Sequence, residues 1–296
     1  MKKIIAIVGP TASGKTGLAV KLAQALDTEI LSADSRQFYR EMSIGTVVPE
    51  PEELSAAKHH FIQHISIHQA YNVGDYEQDF LELSQELFQK KNTLILVGGS
   101  GLYIDAACKG LDNLPSKNEA IREELNKNLQ EKGIESLQTE LRNLDEDYYD
   151  KIDLHNPHRL IRAIEILRQS GGKKMTDLLQ NKVQRSFECR YIGLNTERSQ
   201  LYNRINRRVD MMIEKGLLNE AKKLFPYRNL QALQTVGYRE IFSYFDGDFD
   251  LNFAVSEIKK NTRRFAKRQL TWFRKNKEIR WFDIDYSLEE ILKAID

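Results

Sequence analysis

One motif constrains the fold more than any other feature of the sequence. It has the pattern G-x-x-x-x-G-K-[ST] of a phosphate-binding loop, and it follows an apolar run at residues 4–8 and precedes a segment with helical periodicity. Backbone N–H groups of such a loop, together with the N-terminus of the following helix, converge on phosphate oxygens. We therefore expect a diphosphate group to be bound by Gly9, Pro10, Thr11, Ala12, Ser13, Gly14, Lys15 and Thr16, with Lys15 supplying positive charge and Thr16 a ligand for Mg²⁺.

Short runs rich in Ile, Val and Leu alternate with helical segments along most of the chain. This alternation is typical of a parallel α/β sheet. We therefore predict a P-loop NTPase-like fold, in which a parallel sheet is flanked by helices. The predicted strands cover residues 4–8, 29–32, 93–97, 191–194 and 281–284.

The middle of the chain has a different character. Residues 112–153 carry 12 acidic against 6 basic side chains and show no strand pattern. Helical patterns at 119–130 and 134–144 continue through 159–169 to about residue 188. Because a strand pattern returns at 191–194, we predict an α/β core formed by residues 1–111 and 190–296, with an all-helical insertion at 112–189.

The charge of the chain is balanced overall but locally uneven. With 44 Lys and Arg against 43 Asp and Glu, the net charge of +1 excludes a generally basic nucleic-acid coat. Residues 259–280, however, contain ten basic side chains and one acidic one. We interpret this segment as a helix that contacts RNA or phosphate, and the alternative is a solvated basic helix. Its packed stripe is predicted to contain Val255, Ile258, Phe265 and Trp272, beside a basic face of Lys259, Arg263, Lys267 and Arg274.

The remaining composition argues for a cytoplasmic protein, which we expect to be monomeric and to have no membrane partner. Every apolar run is shorter than the roughly 20 residues of a membrane span. Cys108 and Cys189 have no metal-ligand or C-x-x-C spacing, so neither zinc nor a disulfide framework is indicated. Structural or surface roles are favoured over metal binding for His59, His60, His64 and His68.

Asp34 follows the second predicted strand and should lie beside the phosphate loop, because sites of α/β sheets form at the carboxyl ends of strands. Three roles are open to it from the residues alone: capping a following helix, contacting Mg²⁺ indirectly, or acting as a general base. Capping is the commonest role for an Asp that precedes a helix, and we favour it on this segment alone.

The third long strand runs into Gly98-Gly99-Ser100-Gly101, where a nucleotide hydrolase usually carries an Asp that organises a metal-bound water. No acidic residue is present here. Backbone and a hydroxyl that approach a ligand closely suit the binding of a leaving diphosphate better than the activation of water. A tight turn between strand and helix explains the same residues equally well.

Six segments occur in a characteristic order along almost the whole chain: GPTASGKT, DSRQFYR, VGGSGLY, RLIRAIEI, TVGYREI and FAKRQLTWFR. Together they resemble the tRNA isopentenyl transferase family, the tRNA dimethylallyltransferases. The resemblance implies transfer of a dimethylallyl group from dimethylallyl diphosphate to N6 of the adenosine at position 37 of tRNA, next to the anticodon, with Mg²⁺ as cofactor. Two alternatives are a nucleotide-binding, ATP-dependent small-molecule phosphotransferase, which leaves the basic helix unexplained, and a non-catalytic RNA-binding protein.

The resemblance also implies roles for individual residues. Asp34 would accept the proton of the adenine amine, while Lys15, Thr16, Ser100 and Arg208 would act on the diphosphate. The insertion would grip the anticodon stem-loop through its basic edge, Arg122, Arg159 and Arg162. The full set of residues implied to contact tRNA is Asp34, Ser35, Arg36, Gln37, Ser100, Arg122, His158, Arg159, Leu160, Ile161, Arg162, Gln234, Thr235, Val236, Gly237, Tyr238 and Arg239.

The sequence departs from the family pattern at two places. Ser100 stands where the family most often has Thr, which keeps the hydroxyl, and the segment before Pro49 lacks the usual lysine. For the aromatic pairs Trp272-Phe273 and Trp281-Phe282, core packing is favoured over base stacking.

Overall fold

The computed structural model describes residues 2–179 and 184–295, and the chain forms two compact units. One unit contains Met1–Cys108 and Arg185–Asp296, and the other contains Lys109–Gln184. The second unit thus begins and ends slightly earlier than the predicted insertion at 112–189. The last residues of that prediction lie in the first unit because Glu188 and Cys189 pair with Lys3 and Ile4 of the central strand.

The first unit is built on a parallel sheet of six strands. The strands are β1 (Lys3–Val8), β2 (Ile30–Ser32), β3 (His59–His60), β4 (Thr93–Gly98), β5 (Glu188–Leu194) and β6 (Arg280–Phe282). Their order in the sheet is β3-β2-β4-β1-β5-β6. All five predicted strands are present. The edge strand β3, which pairs with β2, has two residues, too few to show a pattern in the sequence, and is not among the predicted strands.

Helices connect these strands and also form the core of the second unit. Two short 3-10 turns, Phe225–Tyr227 and Gln231–Leu233, lie between helices of the first unit. The helices are α1 (Lys15–Ala25), α2 (Pro51–Ala56), α3 (Val73–Leu87), α4 (Gly101–Lys109), α5 (Glu119–Lys132), α6 (Ile134–Leu144), α7 (Glu146–Tyr149), α8 (Pro157–Gln169), α9 (Met175–Leu178), α10 (Arg198–Glu214), α11 (Leu217–Leu224), α12 (Tyr238–Phe245), α13 (Leu251–Phe273) and α14 (Leu288–Ile295).

The central strand shows why the sheet is covered on both faces. Side chains alternate along a strand, so Ile4 and Ala6 enter one apolar cluster while Ile5 and Ile7 enter another. All four residues are buried, and a strand buried on both faces reads as a continuous apolar run. This is the run that the sequence shows at residues 4–8.

The second unit has its own apolar core, which its helices form. Leu125 of α5, Leu137 and Leu141 of α6 and Ile164 of α8 are fully buried in one cluster. Helix α8 begins after Asn156, whose side chain accepts a hydrogen bond from the N–H of Arg159 and so satisfies one free N-terminal donor. The helices predicted at 119–130, 134–144 and 159–169 are therefore present as α5, α6 and α8.

The predicted packed stripe of the basic helix is only partly right. Ile258 is buried, but Trp272 is 39% exposed, and the neighbouring Phe273 enters the core instead. Towards its C-terminus the buried face of α13 is displaced by about one residue, or roughly 100° around the helix. The Trp272 indole N–H donates to Asp105 at 2.8 Å, and the ring covers Gly101, where a Cβ would lie 2.3 Å from it. The prediction of core packing is thus wrong for Trp272.

Local contacts surround two of the histidines and both cysteines. His60 Nε2 lies 2.6 Å from Glu29 Oε2, and His64 packs edge-on against Phe38. Cys189 Sγ lies 3.7 Å from the carbonyl oxygen of Cys108, and both thiols are free. Across residues 2–179 and 184–295, no three His, Cys, Asp or Glu side chains are grouped to hold a metal ion. None of the helices in these ranges is both long and apolar enough to cross a bilayer.

Candidate active site

The candidate site forms where three adjacent parallel strands end. The phosphate loop follows β1, Asp34 lies two residues beyond β2, and Ser100 lies two residues beyond β4. Parallel strands place their carboxyl ends at the same edge of the sheet, so residues far apart in the sequence meet there.

The phosphate loop has the backbone conformation that its glycines allow. Gly9 and Gly14 have φ values of 148° and 91°, and Ala12, at 65°, is held in the left-handed region despite its Cβ. A Cβ on Gly9 would lie 2.8 Å from the carbonyl oxygen of Leu194, so only glycine fits there. The Ser13 hydroxyl is buried and has no hydrogen-bond partner in the described parts of the chain. A buried polar atom of this kind, just before the N-terminus of α1, is suited to an anionic ligand.

Three charged side chains meet beside this loop. Burial lowers the pKa of Lys15 to about 8, and its ammonium donates to the carbonyl oxygen of Pro10 at 2.6 Å. Burial raises the pKa of Asp34, against the opposing effect of Lys15 and Arg208. Burial also lowers the pKa of Arg208, whose Nη1 donates to the Thr11 hydroxyl at 3.3 Å. The structure thus brings the predicted Lys15, Asp34 and Arg208 together.

Asp34 is not a helix cap. The residues after it form turns rather than a helix, and its Oδ1 accepts one hydrogen bond, from the backbone N–H of Arg36 at 3.3 Å. This is the local turn that Asp side chains favour. The capping interpretation is therefore wrong, because it assumed a helix that the chain does not form. The carboxylate keeps most of its capacity to accept further hydrogen bonds.

The Ser100 hydroxyl joins the loops that follow β2 and β4. Its Oγ accepts from the N–H of Ser35 at 3.2 Å and lies 3.1 Å from the Ser35 Oγ. The two loops are also close at Gly98, where a Cβ would lie 2.4 Å from the carbonyl oxygen of Ala33. The first glycine of the Gly98-Gly99-Ser100 segment is therefore required by this close approach.

The segment 234–239 contributes surface and interior residues. Gln234 and Arg239 are exposed, whereas Tyr238 is fully buried and donates through its hydroxyl to Glu220 at 2.7 Å. Arg36 donates to the carbonyl oxygen of Ala232 at 3.2 Å, which ties the loop after β2 to the turn before this segment. The Tyr238 side chain is therefore part of the core rather than of a binding surface.

Sequence reasoning missed Gln269, which lies on α13. Its Oε1 accepts from the N–H of Thr11 at 2.8 Å, and its Nε2 donates to the carbonyl oxygen of Gly99 at 2.9 Å. Gln269 lies 11 residues, or about three helical turns, after the buried Ile258 and so on the same face of the helix. An uncharged polar residue on the buried face of a basic helix is the signal that could have identified it.

The second unit carries two arginines for which the family resemblance implies contact with tRNA. Arg122 donates through Nε and Nη2 to the two oxygens of Glu165, at 2.9 and 3.0 Å, and Arg162 donates to Glu165 Oε2 at 2.6 Å. Glu165 is fully buried, but both arginines remain about one-third exposed. Leu160 and Ile161 of the same segment are buried in the core of this unit, so their side chains are not at its surface.

The basic helix and α10 share polar contacts. Arg263 of α13 donates to Asn206 of α10 at 2.7 Å, and Lys259 pairs with Asp210 at 2.6 Å. Lys267 and Arg274 are exposed and form no ion pair with the residues that the structure describes. Part of the positive charge on α13 is therefore free to attract an anion.

Comparisons with known proteins identify the family of this chain. The model of the IPP transferase family matches residues 37–276. A tRNA dimethylallyltransferase of Christiangramia forsetii is 55% identical over 293 residues, which span 99% of this chain and 97% of that protein. The chain belongs to the IPP transferase family. A second tRNA dimethylallyltransferase, of Flavobacterium johnsoniae, is 52% identical and covers 100% of this chain and 97% of its own length.

Solved structures support the same assignment. The tRNA isopentenylpyrophosphate transferase of Bacillus halodurans is 37% identical, with a TM-score of 0.72, and the match covers 100% of this chain and 94% of that one. A eukaryotic dimethylallyltransferase described as acting on tRNA has a TM-score of 0.79 at 22% identity, covering 96% and 74% of the two chains, which shows the shared fold. The predicted α/β fold and the resemblance to tRNA isopentenyl transferases are both confirmed, and the family is one of prenyl-transferring enzymes.

Proposed function

We propose that this protein transfers a dimethylallyl group from dimethylallyl diphosphate to N6 of adenosine 37 of tRNA. One observation carries the proposal: Asp34, recessed and accepting one hydrogen bond, lies beside the phosphate loop and close to Lys15 and to Arg208 of α10. A proton acceptor is thus placed next to a site for a leaving diphosphate. The names of the closely similar relatives support a dimethylallyl group as the group transferred and tRNA as its acceptor.

The chemistry uses both parts of the site. The amine of adenine is a weak nucleophile because its lone pair is delocalised into the ring, so a carboxylate that accepts its proton assists attack. As the bond from N6 to the allylic carbon forms, the bond from that carbon to oxygen breaks, and negative charge accumulates on the diphosphate. Lys15, Arg208, the Ser100 hydroxyl and the backbone N–H groups of Gly14, Lys15 and Thr16 would stabilise this charge, and Asp34 would take the proton.

The residues present also fit Mg²⁺. Thr16 lies in the first turn of α1, and the buried Ser13 hydroxyl has no partner in the described residues, so both oxygens are available at the loop. Hydroxyl, phosphate and water oxygens are ligands that Mg²⁺ prefers. Thr16 would hold the ion, which when bound neutralises charge on the diphosphate.

The RNA partner is expected to be the anticodon stem-loop. A stacked base cannot reach a recessed carboxylate, so the target adenosine must leave the stack, at a cost of a few kcal/mol that other contacts offset. We propose that the half-buried Arg36 and the exposed Gln234 and Arg239 of the first unit contribute such contacts. The exposed His158 and Arg159 of the second unit would contribute others. We further propose that the enzyme acts as a cytoplasmic monomer.

The test is mass spectrometry of the nucleosides of an anticodon stem-loop RNA that has been incubated with the protein, Mg²⁺ and dimethylallyl diphosphate. The expected product is N6-(dimethylallyl)adenosine, formed from RNA with adenosine at position 37 and absent when that position is guanosine. Lack of product with both this RNA and full-length tRNA would contradict the proposal. Phosphate transfer from ATP to a small molecule would instead support the phosphotransferase alternative.

A further inference from the structure

Gln269 connects three elements that the proposed reaction needs. It belongs to α13, which carries the basic surface, and its side chain bonds to the phosphate loop at Thr11 and to the loop after β4 at Gly99. Only 6% of its surface is exposed. Among the residues that the structure describes, Gln269 is the one whose side chain forms hydrogen bonds to both of these loops.

The chemistry of the amide matches this position closely. At Thr11 the protein presents a backbone donor, and at Gly99 it presents a backbone acceptor, so the bridging side chain must both accept and donate. Glutamine does both, whereas ionised glutamate only accepts and methionine, of similar volume, offers only a weakly accepting sulfur. Because the pair is buried, loss of either bond leaves a backbone group without a partner.

The glycine at position 99 belongs to the same arrangement. A Cβ at this position would lie 2.2 Å from Gln269 Nε2, closer than real atoms approach. The glycine therefore allows the amide to reach the carbonyl oxygen, and any larger residue would displace it. The local sequence of the β4 loop and the identity of a residue 170 positions later are thus linked by one contact.

Thr11 of the phosphate loop is held by two side chains. Gln269 of α13 holds the Thr11 N–H, and Arg208 of α10 holds the Thr11 hydroxyl. The position of Thr11 in the phosphate loop therefore depends on two helices that are distant in the sequence. Arg208 lies 197 residues after Thr11, and Gln269 lies 258 residues after it. A side chain that fixes the backbone of the loop before the ligand arrives lowers the reorganisation needed when charge develops.

We propose that Gln269 is a positioning residue for the leaving diphosphate, holding the phosphate loop and the Gly98-Gly99-Ser100 loop at a fixed separation. The inference rests on the proposed function, since it assigns the diphosphate to this loop. The residue acts through Thr11 and Gly99 and does not itself touch the reacting atoms.

Inorganic diphosphate is the direct probe, because its binding requires neither RNA nor prenyl transfer. With Mg²⁺ present, Gln269→Met should weaken diphosphate binding about tenfold or more and raise the KM for dimethylallyl diphosphate, because two loop hydrogen bonds are lost. The KM for RNA should change less than threefold. Gln200→Met, at an exposed position of α10, is the matched control and should leave diphosphate binding unchanged.

A double substitution separates positioning from a purely structural role. Gly99→Ala alone should weaken diphosphate binding through the collision with Gln269, and adding Gln269→Ala should restore part of the affinity. Thermal unfolding of every variant shows whether it is folded at the assay temperature. A folded Gln269→Met protein with unchanged diphosphate affinity would overturn the inference alone, whereas failure of the unaltered protein to bind diphosphate would overturn the proposed function as well.

Discussion

Asp34 in the first unit and Glu165 in the second are both acidic side chains near two arginines, but they differ in how many hydrogen bonds they accept. Glu165 is fully buried and accepts from the backbone N–H of Asn118 and from the guanidinium groups of Arg122 and Arg162. Asp34 accepts one bond, at 3.3 Å, from a backbone N–H. One carboxylate is saturated, and the other keeps free acceptor positions.

Their pKa values differ in the same sense. For Glu165, the hydrogen bonds from the arginines outweigh the burial that opposes them, so its pKa lies below the usual range. For Asp34, burial outweighs the attraction of Lys15 and Arg208, so its pKa lies above the usual range. A saturated carboxylate holds its charge and organises its neighbours, whereas a less saturated one is a better proton acceptor. This difference supports the proposal that Asp34 accepts the proton, and it gives Glu165 an organising role in the second unit.

The largest effect should come from Asp34→Asn, which removes the proton acceptor and keeps the shape of the side chain. The rate of the chemical step should fall by about 10²- to 10⁴-fold, with little change in RNA affinity. Single-turnover kinetics with saturating RNA would measure this rate, and filter binding would measure the affinity. A parallel loss of RNA affinity would assign Asp34 to substrate positioning instead of proton transfer.

Glu165→Gln should affect the stability of the second unit more than catalysis. Two arginines would lose a charged partner in a buried position, and such a loss costs about 3–5 kcal/mol of unfolding free energy. Chemical denaturation of the full chain would measure the change. Glu146→Gln is the matched control, because its pair with Arg142 is about two-thirds exposed on both sides and should contribute about 1 kcal/mol or less.

Equal destabilisation by the two glutamine substitutions would contradict the distinction between a saturated buried carboxylate and a surface ion pair. A Glu165→Gln protein of unchanged stability whose chemical step is as slow as that of Asp34→Asn would instead reverse the assignment of the two roles.

The parts of this comparison that could be predicted from sequence are local. The phosphate loop is a continuous motif, and β1 is predicted because a strand buried on both faces is a continuous apolar run. The predicted position of Asp34 near the loop is correct, since parallel strands end at one edge of the sheet. The predicted capping role is wrong, because turns and not a helix follow Asp34. Local patterns therefore identify the elements and the principal side chains.

The rest depends on contacts between distant residues. Gln269 and Thr11 are separated by 258 positions, and nothing in either local segment specifies their pairing. The exposure of Trp272 also depends on a neighbour, because the indole covers Gly101 and bonds to Asp105 instead of entering the core. Helical periodicity gives the approximate buried face of α13, but the packing partners decide which of two adjacent residues is inside.

The pH dependence of diphosphate binding should report the protonation of Lys15, which lies beside Asp34. Lys15 is protonated below its pKa of about 8 and neutral above it, so the free protein should lose affinity for diphosphate as the pH rises through about 8. Titrations from pH 6.5 to 9.5 at constant ionic strength, with the ligand's own ionisation included, would measure the change. Lys15→Gln, which has no ammonium, should bind weakly and lack this alkaline loss. An unaltered protein with a profile as flat as that of the variant would contradict the assignment of Lys15.

The smallest effect should come from Arg159→Ala at the exposed edge of the second unit. Unlike Arg122 and Arg162, Arg159 has no contact with Glu165, so its removal tests RNA binding without disturbing the buried carboxylate. If Arg159 contacts an RNA phosphate, affinity should fall severalfold for any RNA sequence, and the slope of log K against log salt should decrease by about one. The KM for dimethylallyl diphosphate should stay the same.

Lys151→Ala, at another exposed position of this unit, is the control. An unchanged salt slope would restrict the role of this unit's basic edge to the two arginines that Glu165 holds in place.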